Sequence, residues 1–146
     1  ISCNFLFLDE TARFGQPEIM LGVFAPPASL ILPMKVGQAK ADDLLLTGRS
    51  VKPDEVMNSG LGTKLFDDRQ SMMEGADAWV EKHILLKSAS SLRYANRVAR
   101  TAFNETISAN LDKLAEIYTN ELMETHDANK GIETFLKKKK PEWTNS

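Results

Sequence analysis

The apolar positions of the chain begin with residues 1–8 (ISCNFLFL), a stretch that predicts a buried β-strand. Residues 62–66 are the one further stretch with a clear strand pattern. Two strands alone make a marginal sheet. We therefore expect that the fold includes a further part on the N-terminal side of Ile1.

From residue 28 onward the apolar positions recur at spacings of three and four, which predicts helices. The first predicted helices are 28–36 with Pro33 inside it, 39–47 ending at Gly48, and one that begins at Pro53 and closes at Gly60. Four longer helical segments follow from about residue 67. They cover residues 71–86, 92–103, 107–122 and a last segment that is capped by Thr125 and ended by Pro141.

The first of these longer segments should bury one face, because its apolar side chains share one side of the helix. That face carries Ala76, Trp79, Val80, His83 and Ile84. The next two segments repeat the pattern and need partners of their own. The chain is thus predicted to be mostly α-helical.

Composition narrows the class of protein. Of 146 residues, 42% are hydrophobic, which is typical of a globular domain and argues against disorder. The net charge of −2 gives no reason to expect nucleic acid or a membrane as a partner. A single cysteine, Cys3, and the absence of clustered Cys and His residues argue against a disulfide or a metal site and favour a cytoplasmic location.

Glu18 is the carboxylate in the most apolar surroundings. Pro17 fixes its own φ and favours an extended Gln16, so we expect a stiff, non-helical approach to Glu18. Desolvation by its neighbours would raise the carboxyl pKa from about 4.3 and suit it to proton transfer near neutrality. Those neighbours are Phe14, Ile19, Met20, Leu21 and Phe24. Sequence chemistry alone still favours a surface or helix-entry carboxylate.

Other candidate groups have plainer explanations. His83 lies on an apolar helix face and His126 in a capping region, so both are predicted to be structural. Ser29 and Cys3 lack the surroundings of an activated nucleophile. The four lysines 137–140 are typical of a solvated helix end, although Phe135 one turn earlier leaves open a site for a base and its phosphates.

A motif around Glu18 changes the interpretation of this carboxylate. Residues 14–19 (FGQPEI), followed by Leu21 and Gly22, closely resemble the signature of the enoyl-CoA hydratase/isomerase (crotonase) superfamily. Further segments with the family's order and spacing are 36–41 (VGQAKA), 45–49 (LLTGR), 60–61 (GL), 127–128 (DA), 131–132 (GI), 135–136 (FL) and 140–141 (KP). The resemblance therefore covers essentially the whole chain.

The resemblance implies an α/β crotonase fold, of which this chain would hold the C-terminal part of the spiral ββα core (1–66) and a helical region for trimer assembly (67–146). Glu18 matches the second catalytic glutamate of the hydratases. The first glutamate and the oxyanion hole would fall before Ile1. Phe135 and Lys138 match positions that contact the coenzyme A of a neighbouring subunit.

The implied reaction is the addition of water to an unsaturated acyl-CoA, with coenzyme A arriving as part of the substrate and no separate cofactor. The implied assembly is a homotrimer or a dimer of trimers. The implied substrate pocket comprises Phe14, Met20, Phe24, Pro26 and Pro27.

The turn after Gly22 departs from the common family pattern, because residues 23–29 (VFAPPAS) contain two prolines and no glycine. A stiff apolar wall would suit a ring-shaped acyl group. This turn, residues 121–127 and residues 141–143 look most like the cyclic dienoyl-CoA hydratases of anaerobic benzoyl-CoA degradation.

Two alternatives stay open. The same fold supports isomerases and hydrolases of acyl-CoA, since a fold does not fix its chemistry. The isolated chain could also be a non-catalytic assembly module whose amphipathic helices mediate contacts between subunits.

Overall fold

The sheet consists of two short strands that are far apart in sequence. In the computed structural model, which describes residues 1–146, β1 (Phe7–Asp9) pairs in parallel with β2 (Lys64–Phe66). The strand predicted for residues 1–8 is therefore wrong in extent, whereas the strand predicted at 62–66 is confirmed for its last three residues. The reason is that β2 offers only three residues for pairing, and Leu6 instead exchanges hydrogen bonds with Thr63.

Seven α-helices make up most of the remaining chain. They are α1 (Pro26–Val36), α2 (Gln38–Thr47), α3 (Pro53–Asn58), α4 (Arg69–Val80), α5 (Ala89–Ala99), α6 (Thr101–Asn120) and α7 (His126–Leu136). Short 3-10 helices cover Pro17–Leu21 and Leu122–Glu124, and a π-helical segment covers Glu81–Leu85. The predicted helical content is confirmed.

The first compact unit comprises residues 1–14 and 51–106. Trp79 of α4 packs there against Phe5 and Phe7, with ring centroids 4.6 and 5.6 Å apart. The predicted apolar face of this helix is only half-buried, and His83 is exposed. The prediction of a buried face was wrong in degree: Trp79 packs against the two phenylalanines and, at 4.9 Å between ring centroids, against His83 of the π-helical segment, but no element of this unit covers the rest of the face.

The second compact unit comprises residues 15–50 and 107–146. Its core includes Leu32 of α1 and Ala41 and Leu44 of α2, all nearly or fully inaccessible. The two prolines 26 and 27 begin α1, where the first backbone N–H groups need no helical partner. Helix α2 ends at Gly48 in a left-handed conformation, as predicted.

Helix α7 begins where the sequence predicts and ends earlier. The Thr125 hydroxyl accepts from the Ala128 N–H and caps it. The helix closes at Leu136 and not at Pro141, because Lys138 has φ 54° and the Lys139 N–H turns back to the Thr134 carbonyl. The lysines therefore follow the helix.

The predicted division of the chain at residue 66 concerns function and stays a prediction. None of the helices combines the length and the apolar character that a membrane crossing requires.

Candidate active site

Glu18 lies in a single turn of 3-10 helix, Pro17–Leu21. Gln16 before it has φ −128° and ψ 79°, outside the helical region that proline disfavours in the preceding residue. Gly22 closes the turn at φ 74°, and its N–H donates to the Ile19 carbonyl at 3.1 Å. The approach to Glu18 is non-helical at Gln16, as predicted, but Gln16 is not fully extended and the 3-10 helix already begins at Pro17, which corrects the expectation.

Two glycines let neighbouring helices come close to this turn. A Cβ atom at Gly48, at the end of α2, would lie 2.8 Å from Ile19 Cγ2 and 2.9 Å from Met20 Cγ. A Cβ atom at Gly131 of α7 would lie only 2.0 Å from the Leu21 carbonyl oxygen. The Glu18 turn is thus held between the end of α2 and the body of α7.

The Glu18 carboxylate has unused hydrogen-bonding capacity. Its Oε2 atom is buried and has no hydrogen-bond partner, and it is the one buried side-chain oxygen or nitrogen in this condition. Buried polar atoms without partners are rare in folded proteins and call for an explanation, of which a catalytic role is one. A carboxylate oxygen in this state can accept a proton or a hydrogen bond from a bound molecule.

A cavity of about 350 Å³ lies beside the turn. Its walls are mainly apolar, with two lysines among the residues that line it. The lining residues are Pro17, Met20, Leu21, Gly131, Phe135, Lys139, Lys140 and Pro141. The structure therefore brings together Met20, predicted for the acyl pocket, and Phe135, predicted to contact coenzyme A.

Lys138 is not among these lining residues, whereas Lys139 and Lys140 are. The sequence shows four consecutive lysines, but which of them face the cavity depends on how the chain turns after α7. Sequence reasoning therefore left the run 137–140 open as a phosphate site but did not predict that Lys139 and Lys140 line this cavity.

The other predicted pocket residues have separate surroundings. Phe24 packs edge-on against Tyr118, with ring centroids 5.4 Å apart at 71°. Pro26 and Pro27 form the first turn of α1. Phe14 belongs to the first compact unit, where it forms an antiparallel bridge with Val51. The cavity that contains Met20 is not lined by Phe24, Pro26 or Pro27.

Asp127, in the first turn of α7, accepts several hydrogen bonds from the C-terminal segment. It accepts from the Thr144 N–H and hydroxyl, both at 2.9 Å, and from the Asn145 N–H at 2.7 Å. These bonds, the Thr144 backbone N–H foremost, lower the pKa of Asp127 to about 2. Asp127 therefore stays charged at neutral pH.

The structure holds no group of three or more His, Cys, Asp or Glu side chains that could bind a metal ion. The Glu18 turn therefore offers a carboxylate oxygen that is buried and free to accept, and its neighbours Pro17, Met20 and Leu21 line an apolar cavity.

Comparison with protein families shows which family the chain belongs to. The family model described as enoyl-CoA hydratase/isomerase matches residues 1–146. The chain belongs to the enoyl-CoA hydratase/isomerase family. The membership inferred from the Glu18 motif is thereby confirmed.

A relative from Thauera aromatica, cyclohexa-1,5-dienecarbonyl-CoA hydratase, is 46% identical over 142 residues, which are 97% of this chain and 54% of that protein. The resemblance to cyclic dienoyl-CoA hydratases is confirmed by this match. The chain spans about half the length of the curated relatives it matches.

Solved structures confirm the crotonase fold. An enoyl-CoA hydratase/isomerase from Pseudoalteromonas atlantica T6c matches with a TM-score of 0.85 at 26% identity, over 97% of this chain and 56% of that one. A carnitinyl-CoA hydratase from Mycobacterium avium matches with a TM-score of 0.86 at 24% identity, over 98% and 55% respectively, and supports the fold alone.

Proposed function

We propose that the protein adds water to the double bond of an α,β-unsaturated acyl-CoA, with Glu18 exchanging a proton with the substrate. The observation that carries this proposal is the buried Glu18 Oε2 without a hydrogen-bond partner, in a turn held between two helices. Family membership supplies the class of reaction.

In this reaction the water oxygen joins the β-carbon and a proton is added at the α-carbon. Glu18 would deliver or receive the proton on the α-carbon side, while a second carboxylate activates the water. Neither that second carboxylate nor the oxyanion-hole N–H groups are assigned to a residue within 1–146. The residues described here therefore account for the Glu18 side of the reaction.

We further propose a cyclic dienoyl group as the acyl part of the substrate. The relative from Thauera aromatica bears the name of such a hydratase, at 46% identity. In this chain Phe24 is fixed against Tyr118, and Pro26 and Pro27 add a rigid apolar surface at the start of α1. A stiff apolar wall suits a flat ring better than a flexible chain.

The cavity next to the Glu18 turn is proposed to bind part of coenzyme A. Phe135 offers an aromatic surface for the adenine, and lysine ammonium groups attract phosphates. Lys139 and Lys140 replace Lys138 as the preferred phosphate partners, because they line the cavity.

Assembly into a homotrimer or a dimer of trimers is proposed from exposed apolar side chains on α5. Tyr94 is 66% exposed and Val98 is 72% exposed, one helical turn apart. Large apolar side chains clustered at a surface are typical of contacts between subunits.

The test of Glu18 is the Glu18→Gln variant, assayed in the protein as its gene encodes it with cyclohexa-1,5-diene-1-carbonyl-CoA and crotonyl-CoA. The amide keeps the shape of the side chain and removes its proton transfer, so we expect kcat to fall by about 10²- to 10⁴-fold with little change in KM. Glu10→Gln, an exposed carboxylate in a turn, is the matched control. A Glu18→Gln rate close to that of the unmodified protein would refute the assignment.

Isomerisation is the second candidate, because the matching family model includes isomerases. The mass of the product separates the reactions. Hydration adds one water to the substrate, isomerisation leaves its mass unchanged, and hydrolysis releases free coenzyme A.

A further inference from the structure

The C-terminal segment of the chain folds back onto the start of α7. Beyond the three hydrogen bonds that Thr144 and Asn145 donate to the Asp127 carboxylate, the Asp127 N–H donates to the Ser146 carbonyl at 3.2 Å. The tail is thus fixed by four hydrogen bonds to one residue of α7, and Trp143 immediately precedes them.

The Trp143 indole lies over the place where the Glu18 turn meets α7. A Cβ atom at Gly22 would lie 3.0 Å from Trp143 Cζ3, and one at Gly131 would lie 3.0 Å from Trp143 Cη2. Gly22 ends the Glu18 turn, and Gly131 faces the carbonyl of Leu21. The Trp143 ring therefore contacts both Gly22, at the end of the Glu18 turn, and Gly131 of α7.

A turn of this kind needs such support. It has five residues, and 3-10 hydrogen bonds have poorer geometry than those of an α-helix. The glycines on both sides provide no side chain that could hold the turn. The indole supplies the missing packing area from outside the turn.

We propose that Trp143, anchored through Asp127, is a positioning residue for Glu18. It keeps the Pro17–Leu21 turn seated on α7 and so fixes the direction of the Glu18 carboxylate. The inference rests on the proposed function, because it assigns Trp143 an effect on a proton transfer made by Glu18. A misdirected carboxylate would still allow the substrate to bind.

The experiment compares the variants Trp143→Ala and Trp143→Phe, the second being the conservative change, in the full-length protein. Small displacements of a catalytic group can cost on the order of 100-fold in rate, so we expect kcat to fall by about 10- to 100-fold for Trp143→Ala, with KM within about threefold. Trp143→Phe should restore most of the rate. Glu142→Ala, an exposed neighbour in the same tail, is the matched control and should keep the full rate.

A combined variant separates positioning from general damage. In a Glu18→Gln background, Trp143→Ala should change the residual rate by less than about threefold, because the group that it positions is already inactive. An equal fall in both backgrounds would overturn the proposal, as would an unchanged kcat in Trp143→Ala alone. Either result leaves the assignment of Glu18 to be judged by the Glu18→Gln variant itself.

Asp127→Asn provides a second route if Trp143→Ala does not fold. This variant leaves the indole in place and weakens only its anchor. We therefore expect a smaller fall in kcat than for Trp143→Ala, and we expect it only in protein that retains Glu18 and not in the Glu18→Gln variant. A full rate in an Asp127→Asn protein whose tail is released, as measured by cleavage after Glu142 with a glutamate-specific protease, would also overturn the proposal.

Discussion

At the scale of single residues, Asp127 shows how one carboxylate can make a contact depend on pH. The pKa of Asp127 is lowered to about 2 from an ordinary value of 3.8, chiefly by the Thr144 backbone N–H. The folded state favours the charged form of Asp127 more strongly than the unfolded state does. The contribution of the Asp127 hydrogen bonds to stability is therefore present above about pH 4. It is lost as the pH falls towards 2.

We therefore predict that the difference in melting temperature between the unmodified protein and Asp127→Asn is constant at pH 5 to 7 and shrinks between pH 4 and 2. Scanning calorimetry of both proteins across this range measures the difference, in which the titration of all other carboxylates cancels. Asp112→Asn, on the exposed side of α6, controls for the loss of one negative charge. A difference of the same size at pH 6 and pH 2 would contradict the prediction.

Sequence reasoning at this scale singled out Glu18, but it did not identify the distant residues that pack against its turn. Glu18 stood out through its motif, but the burial of Oε2 depends on contacts that no local pattern encodes. Trp143 was noticed only as part of a family-like ending, because its contact with Gly22 joins residues about 120 positions apart.

At the scale of elements, the close approach of α7 to the Glu18 turn makes Gly131 a critical position. Replacing a helical glycine by alanine normally stabilises a helix by about 0.5–1 kcal/mol. At Gly131 the added Cβ atom would lie 2.0 Å from a backbone oxygen, which cannot rotate away as a side chain can.

We predict that Gly131→Ala lowers the free energy of unfolding by about 1–3 kcal/mol, the usual cost of overpacking a tight site. Denaturation in urea measures the change. Ser108→Ala, at an exposed position inside α6, is the control and should stay within about 0.5 kcal/mol of the unmodified protein. A stabilised Gly131→Ala protein would show that the turn and α7 are not in contact.

Elements with strong local signals were predicted well. Helix α2 has its glycine stop and α7 its threonine cap, and both signals act within a few residues. The extent of β1 and the π-helical segment after α4 were not predicted, because each depends on which surfaces lie opposite the chain. Local pattern fixes the type of such elements more firmly than their length.

At the scale of the whole molecule, the exposed side chains of α5 predict association. Val98→Asp places a charge among apolar side chains that a neighbouring subunit would bury, and an unpaired buried charge is costly. We predict that this variant sediments as a smaller species than the unmodified protein.

Sedimentation velocity at several protein concentrations measures the effect. Ala39→Asp adds the same charge at an exposed position in the first turn of α2, where the helix dipole favours it, and should leave the assembly unchanged. Equal sedimentation of the Val98→Asp and unmodified proteins would exclude α5 from the interface.

The second compact unit, which is assembled from residues 15–50 and 107–146, also sets an order of events during translation. Glu18 leaves the ribosome before Gly131 and Trp143, which pack against its turn and are synthesised more than 100 residues later. The nascent Glu18 turn must wait until Gly131 and Trp143 have been synthesised before it can adopt its final packing. A premature stop codon shortly before residue 127 would thus yield a chain that contains Glu18 but lacks the support that orients it.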